Sequence, residues 1–369
     1  MLAELDRHPH ARAVLGPALA PEARASHAYL FHGPGGSGKR AAARAIAATW
    51  LQRGSRNPDS ARERAYSGAH PDLTWVTPSG AHEILVADIE EPVIAAATRT
   101  PFEASSRVFV IERADELGDE AANRMLKTLE EPASFVHLIL LTDRLGEVLP
   151  TIRSRCQLVR FDAPSPAEVA EQLAGHGVAA PIAAACARLG MGDADQALVL
   201  AQAPGRALRA AAQEFAQAAL AGRSASGRPW GALLGAVRET GQALTEQLES
   251  DKAADLEFYP KKERKRVGTE WTERIRRARR RAETGALDLG LQLVTLWLAD
   301  LAVLADGAED LVRNVDHLPD LRADAGPSAA ALRQAMELVE ETRQRFQLNV
   351  SEELACEALA YRLERVLAP

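Results

Sequence analysis

The segment of this chain best suited to chemistry is Gly33-Pro-Gly-Gly-Ser-Gly-Lys39. A short apolar run, Ala28–His32, enters it, and residues 39–52, alanine-rich and helical in composition, leave it. That is the strand–loop–helix context in which G-x-x-x-x-G-K cradles phosphate. Gly33, Gly35, Gly36 and Gly38, with Ser37 among them, let successive backbone N–H groups face inward as an anion nest. The helix N-terminus adds positive potential. Lys39 is placed to reach the outer phosphates of a nucleoside triphosphate. The next position, where a Ser or Thr hydroxyl should meet Mg²⁺, holds Arg40, whose guanidinium has donors only. A second apolar run, Val108–Ile111, leads into Glu112-Arg113-Ala114-Asp115-Glu116. A hydrolase of this type needs a metal-binding carboxylate there, followed by a glutamate that activates water. Glu112 suits the first role, but Arg113 stands in the second place, leaving Asp115 or Glu116 as replacements. ATP binding through Lys39 stays open, whereas turnover without the hydroxyl and the base loses orders of magnitude. No metal-ligand set is predicted.

These loops need a sheet to position them. Ala28–His32, Leu73–Val76, Val108–Ile111 and His137–Leu141 read as strands. They alternate with helical runs at 39–52, 88–97 and 119–129, which predicts a mostly parallel sheet flanked by helices. From Ser165 the strand signal disappears. Runs 166–173, 181–189 and 193–202 read as short helices, and Pro204-Gly205, a polar loop at 222–229, Gly307 and residues 317–328 interrupt a helical remainder. The expected division is 1–162 for the α/β P-loop domain, 163–205 for a small helical domain and 206–369 for an all-α domain. A chain of 369 residues accommodates that number.

A formal charge of −7 argues against a free-standing DNA or membrane binder. Apolar residues at 47% and charged residues at 26% exclude wholesale disorder. Cys156, Cys186 and Cys356 lie far apart, so neither a disulfide framework nor a cysteine zinc site is expected, and the usage fits a reducing, cytoplasmic compartment. The residues after Met1 have no apolar core of a secretory signal. The apolar stretch 287–304 contains Asp288 and Asp300 and reads as a buried helix, not a span. Its Leu287, Leu291, Val294, Leu298 and Leu301 form one stripe suited to helix packing, with Trp297 as an anchor. Residues 261–281 hold eleven Lys/Arg and three Glu, a local +8. The rest of the chain is then −7 − 8 = −15.

Three blocks carry a family resemblance: Ser26 through Lys39, Ala121-Ala-Asn-Arg-Met-Leu-Lys-Thr-Leu-Glu-Glu-Pro132, and Leu149-Pro-Thr-Ile-Arg-Ser-Arg-Cys156. In order and spacing they are similar to the AAA+ clamp-loader subunits of bacterial DNA polymerase III. Gly192–Leu198 resembles the sensor 2 segment of the helical lid, and Asn349–Leu359 resembles the terminal collar helix. The resemblance implies an AAA+ domain, a helical lid and a collar that joins subunits. ATP-hydrolysing gamma/tau members keep Thr after the lysine, Asp-Glu in the acidic motif and Arg in sensor 2. Here Arg40, Glu112-Arg113 and Asp195 stand in those places, which is similar to the non-hydrolysing delta-prime type. By the same resemblance Arg155, with Ser154 beside it, is an arginine finger offered to a neighbour's ATP, and Thr142 is the sensor 1 residue. Read alone, Ser154-Arg155-Cys156 is a solvated turn whose arginine pairs with a local carboxylate; Lys127, Glu130 and Glu131 read as helix-surface charges. The family's four-cysteine zinc module has no counterpart, so no zinc is expected and a loop, 54–67, takes its place. Implied partners are gamma/tau and delta subunits in a hetero-pentamer, the sliding clamp and primed DNA, within a nucleotidyltransferase assembly; no membrane is implied. The rival readings are a self-sufficient motor ATPase using Asp115 or Glu116, and a DNA-binding accessory protein acting through 261–281.

Overall fold

The computed structural model describes residues 2–20, 25–78, 83–346 and 350–367. The chain divides into two compact units, Met1–Pro164 and Ser165–Pro369.

In the first unit, helix α1 (Pro9–Ala18) precedes strand β1 (Ala28–His32), helix α2 (Lys39–Leu51) and helix α3 (Pro58–Ser67). Strand β2 (Leu73–Val76), helix α4 (Val86–Ile89), strand β3 (Arg107–Ile111), helix α5 (Asp119–Glu130), strand β4 (Val136–Thr142), helix α6 (Pro150–Arg153) and strand β5 (Gln157–Arg160) follow. The five strands are parallel, in the order β2-β3-β4-β1-β5. Side chains alternate between two buried faces, as a sheet covered on both sides requires. Tyr29, Phe31, Val108, Val110, Ile139 and Leu141 join the core beneath α2. Ala28, Leu30, Phe109, Ile111, Leu138 and Leu140 join the core beneath α5.

The expected strands are present, and β5 is an addition: its Gln157, Leu158 and Arg160 are exposed, so it has little hydrophobic signal, and it exists by pairing with β1. The loop expected at 54–67 is instead mostly helix α3. The Asn57 side chain accepts from Ser60 N–H, Pro58 opens the first turn, and Gly68 closes the helix at a φ of 80°. The helix expected at 88–97 is split between α4 and a π-helical stretch, Glu90–Ala95, that holds Pro92, which has no N–H to give an α-helical ladder. Buried Asp72 accepts from the N–H groups of Phe102, Glu103 and Ala104 at 2.6, 2.9 and 3.0 Å, and so shapes the turn leading into β3.

Burial is the main cause that holds the pKa values of His8, His32, His70 and His137 below the ordinary 6.5. All four lie in the first unit. As pH falls through 6.5 the unfolded chain takes up protons that the folded unit refuses, so the unfolded state binds more protons and stability falls with acid. Hydrogen exchange of β1 and β4 amides is therefore expected to quicken between pH 7.5 and 5.5 after correction for intrinsic rates. Unchanged protection across that window would contradict the assignment.

The second unit is helical: α7 (Pro166–Gly175), α8 (Ala180–Leu189), α9 (Ala194–Ala201), α10 (Ala203–Leu220), α11 (Ser224–Gly227), α12 (Pro229–Phe258), α13 (Arg264–Ala305), α14 (Leu318–Ala323), α15 (Ala329–Arg345) and α16 (Glu352–Leu367). Residues from Val169 to Leu367 share one apolar core, so the helices on either side of position 205 pack together. The polar loop expected at 222–229 contains α11. Its Ser224 is buried, donating its N–H to the Glu364 carboxylate at 2.8 Å and its hydroxyl to the Ala360 carbonyl. The stripe of Leu287, Leu291, Val294, Leu298 and Leu301 is buried, and Trp297 donates to Asp324 at 3.1 Å. By length and composition α13 is the one helix among the described residues that could cross a membrane, but 56% of its apolar window is buried inside the unit. Its Asp300 is fully buried and accepts from Arg313 N–H at 3.0 Å and from Asn314 N–H and Nδ2 at 2.8 and 2.9 Å. Asn349, the first residue of the segment similar to a collar helix, lies outside the described residues.

Candidate nucleotide-phosphate site

The loop between β1 and α2 turns on glycines. Gly36 and Gly38 have φ values of 64° and 89°, left-handed turns that glycine adopts freely, and the Ser37 N–H between them donates to the Pro34 carbonyl at 3.3 Å. The Lys39 ammonium, almost fully buried, donates to the carbonyls of Gly33 and Pro34 at 2.7 and 2.5 Å and to Ser37 Oγ at 3.2 Å. It also pairs with Asp143 at 2.8 Å. The loop is thus wound around its own cation. Strand order puts β4 between β3 and β1, so the carboxyl ends of these three strands bring Glu112, Thr142 and the loop to one edge of the sheet.

Two of the expected chemical groups meet there. Arg40 forms an ion pair with Glu112 at 2.8 Å, and Trp75 Nε1 donates to the same Glu112 oxygen at 2.5 Å. The residue that stands in place of a metal-binding hydroxyl therefore neutralises the residue that stands in place of a metal-binding carboxylate. Arg44 stacks over Trp75, 4.5 Å from the ring centroid, and steadies the indole. Arg113 sits at a φ of 54° and pairs with Glu116 at 2.6 Å. Asp115, buried, accepts from Thr142 Oγ1 at 2.7 Å and from Arg144 Nε at 3.1 Å. Thr142 also receives the Arg144 N–H at 3.0 Å. The oxygens of Asp115 and Glu116, the two candidates to replace a missing base, are thus engaged with protein partners. Among the described residues no group of three or more His, Cys, Asp or Glu is placed to hold a metal ion.

Arg155 has different partners. Its Nε donates to Glu130 Oε1 at 2.7 Å and a second nitrogen bonds the same oxygen. A third nitrogen donates to the Thr151 carbonyl at 2.9 Å and to Ser154 Oγ at 3.2 Å. The guanidinium is part-exposed at the surface, on the turn after α6. Burial pushes the Cys156 thiol up to about 12, which makes it an inert packing residue. The expected site residues thus form two groups: the phosphate loop with Glu112 and Thr142, and Arg155 with Ser154. Asp143, Trp75 and Glu130 are the partners that sequence reasoning missed. Asp143 adjoins Thr142 and was open to notice. Glu130 reads from the sequence as a helix-surface charge but accepts from Arg155, whereas Lys127, on the same helix, is exposed. Trp75 bonds across thirty-seven positions and left no local signal.

Residues 13–165 match the family described as DNA polymerase III, delta subunit. A stretch of 154 residues is 37% identical to the DNA polymerase III subunit delta' of Bacillus subtilis, covering 41% of this chain and 46% of that one. A stretch of 161 residues is 34% identical to the subunit delta' of Pseudomonas aeruginosa, covering 42% and 49%. The gamma/tau subunit of Mycobacterium tuberculosis is 34% identical over 158 residues, 42% of this chain and 27% of that one. The chain spans about half the length of the two delta' relatives it matches. The parallel sheet with flanking helices and the glycine-rich loop after its first strand are those of the α/β P-loop domain expected from the sequence.

Proposed function

We propose that this chain, which matches the DNA polymerase III delta-subunit family over residues 13–165 and is similar to bacterial delta' subunits, is the non-hydrolysing member of a clamp loader. It takes its place beside gamma/tau and delta subunits in a pentameric ring that sets a sliding clamp on primed DNA. The observation that carries this reading is the Arg40–Glu112 pair. The Arg40 guanidinium, paired with Glu112, stands at the locus where the hydroxyl and carboxylate of an active site would converge on Mg²⁺. Arginine stays protonated at any working pH and cannot ligate a cation. A glycine-rich loop running into a helix N-terminus is a setting that takes phosphate, so nucleotide held without turnover belongs to the same reading. Arg155 is then the group the chain offers to chemistry next door: a planar fork that meets charge on a transferring phosphoryl group.

The direct test is Mg-ATP turnover by the isolated chain, beside co-elution with gamma/tau and delta subunits of the same source. The expected result is assembly without turnover. Arg40→Thr restores the hydroxyl but leaves Arg113 where the catalytic glutamate should be, so this variant is also expected to be silent. Mg²⁺-dependent turnover by the wild-type chain would establish the motor reading instead.

A further inference from the structure

The strongest charge feature of the molecule lies outside the nucleotide site. Helices α12 and α13 pair as an antiparallel hairpin. Trp271 Nε1 donates to Asp255 at 2.8 Å, and Lys252 Nζ bonds Thr272 Oγ1 at 3.3 Å. Farther along, Gly241 lies against Glu283, and Gly290 against Leu233, where an added Cβ would meet the leucine at 2.8 Å. Val267 and Ile275 are buried and Trp271 is half-buried, which defines the inner stripe of the first half of α13. Nine of the eleven Lys/Arg of 261–281 are exposed; Arg277 and Arg281 are half-buried. The ion pairs found here run along α13 itself (Arg266–Glu270, Arg276–Glu273 and Arg279–Glu283) or reach Glu352 from Arg280. Lys261, Lys262 and Lys265 have no carboxylate partner among the described residues.

We propose that this basic half of the hairpin, residues 261–281, binds the phosphate backbone of double-stranded nucleic acid without reading its sequence. Eight of its eleven cations are arginines, whose forks match phosphate oxygens. From Arg264 to Arg281 the helix extends about 25 Å, long enough to meet several successive phosphates. A duplex is favoured over a single strand because binding of single strands relies on aromatic stacking. Trp271 is the one aromatic side chain within 261–281; its N–H is taken by Asp255, and Arg274 covers its ring at 4.8 Å from the centroid. The remainder of the chain carries −15, so any affinity for a polyanion is expected to come from this segment. The inference does not depend on the proposed clamp-loader role: the full-length chain is tested without partners.

Fluorescence anisotropy of the intact chain with a labelled 30-base-pair duplex of arbitrary sequence, between 50 and 300 mM NaCl, is the experiment. Micromolar binding is expected at the low end, with a log–log salt slope of about −4 for four to five phosphates. Replacing Lys261, Lys262 and Lys265 by Gln should flatten the slope by about 0.9 per lysine, with helix content unchanged by circular dichroism. Lys→Arg at the same positions should keep it. No duplex binding at 50 mM NaCl, or a slope unmoved by the three Gln substitutions, would overturn the proposal. So would tighter binding to single strand, polyglutamate or anionic phosphatidylglycerol vesicles than to duplex.

Discussion

On the proposed finger role, Arg155→Ala is expected to leave a reconstituted loader assembled and to lower ATP turnover at the neighbouring site by about 10³-fold, the lower end of the range for arginine fingers supplied in trans. The measurement is single-turnover hydrolysis by the complex with clamp and primed DNA present, beside a check of assembly by size exclusion. In the chain alone the guanidinium is bonded to Glu130, Thr151 and Ser154. To act on a neighbour it must exchange that pairing for a phosphoryl oxygen. The exchange is cheap, because a surface ion pair contributes about 0–1 kcal/mol. Glu130→Gln should therefore change turnover by only a few-fold, whereas Arg155→Lys should rescue little, since an ammonium cannot present a planar fork. Turnover insensitive to Arg155→Ala in an intact assembly would end the finger assignment while leaving the proposed inactivity of the chain's own site to its separate test.

Gly33→Ala is expected to be the most damaging single methyl group in the first unit. Gly33 has a φ of 149°, and an added Cβ would sit 2.2 Å from the backbone oxygen of Phe161. That backbone cannot retreat freely, because Phe161 N–H is bonded to the His32 carbonyl at 2.8 Å and continues the β1–β5 ladder. Disallowed backbone conformation and overpacking each cost about 1–3 kcal/mol. Together they should lower the unfolding midpoint of the first unit by about 10 °C. Gly146→Ala, with nothing within 4 Å of its added methyl, serves as the comparison and should lie within about 0.5 kcal/mol of the parent. A Gly33→Ala chain as stable as the Gly146→Ala chain would show that the loop yields where the ladder is drawn as rigid.

Features of the sequence that rest on local chemistry survive folding unchanged. Strands Ala28–His32 and Leu73–Val76 stand at the expected residues, because apolar runs bounded by turn residues need no distant partner to be recognised. The phosphate loop is equally local: its glycines permit the left-handed turns, and Lys39 follows them directly. That Arg40 cannot ligate a metal is a property of the residue type. Helix α3 is local as well, since Asn57, Pro58 and Gly68 are its start and stop signals. Tertiary structure alone decided where the charges go. Arg40 meets Glu112, Trp75 meets Glu112, and Glu130 holds Arg155, each across a gap of 25 residues or more that only the sheet order or helix packing closes. Likewise 261–281 reads from the sequence as a run of positive charge, and only its pairing with α12 determines which side is buried and which cations remain at the surface. Backbone preferences act within a few residues, whereas ion pairs are chosen among all the charges that the finished fold brings within reach.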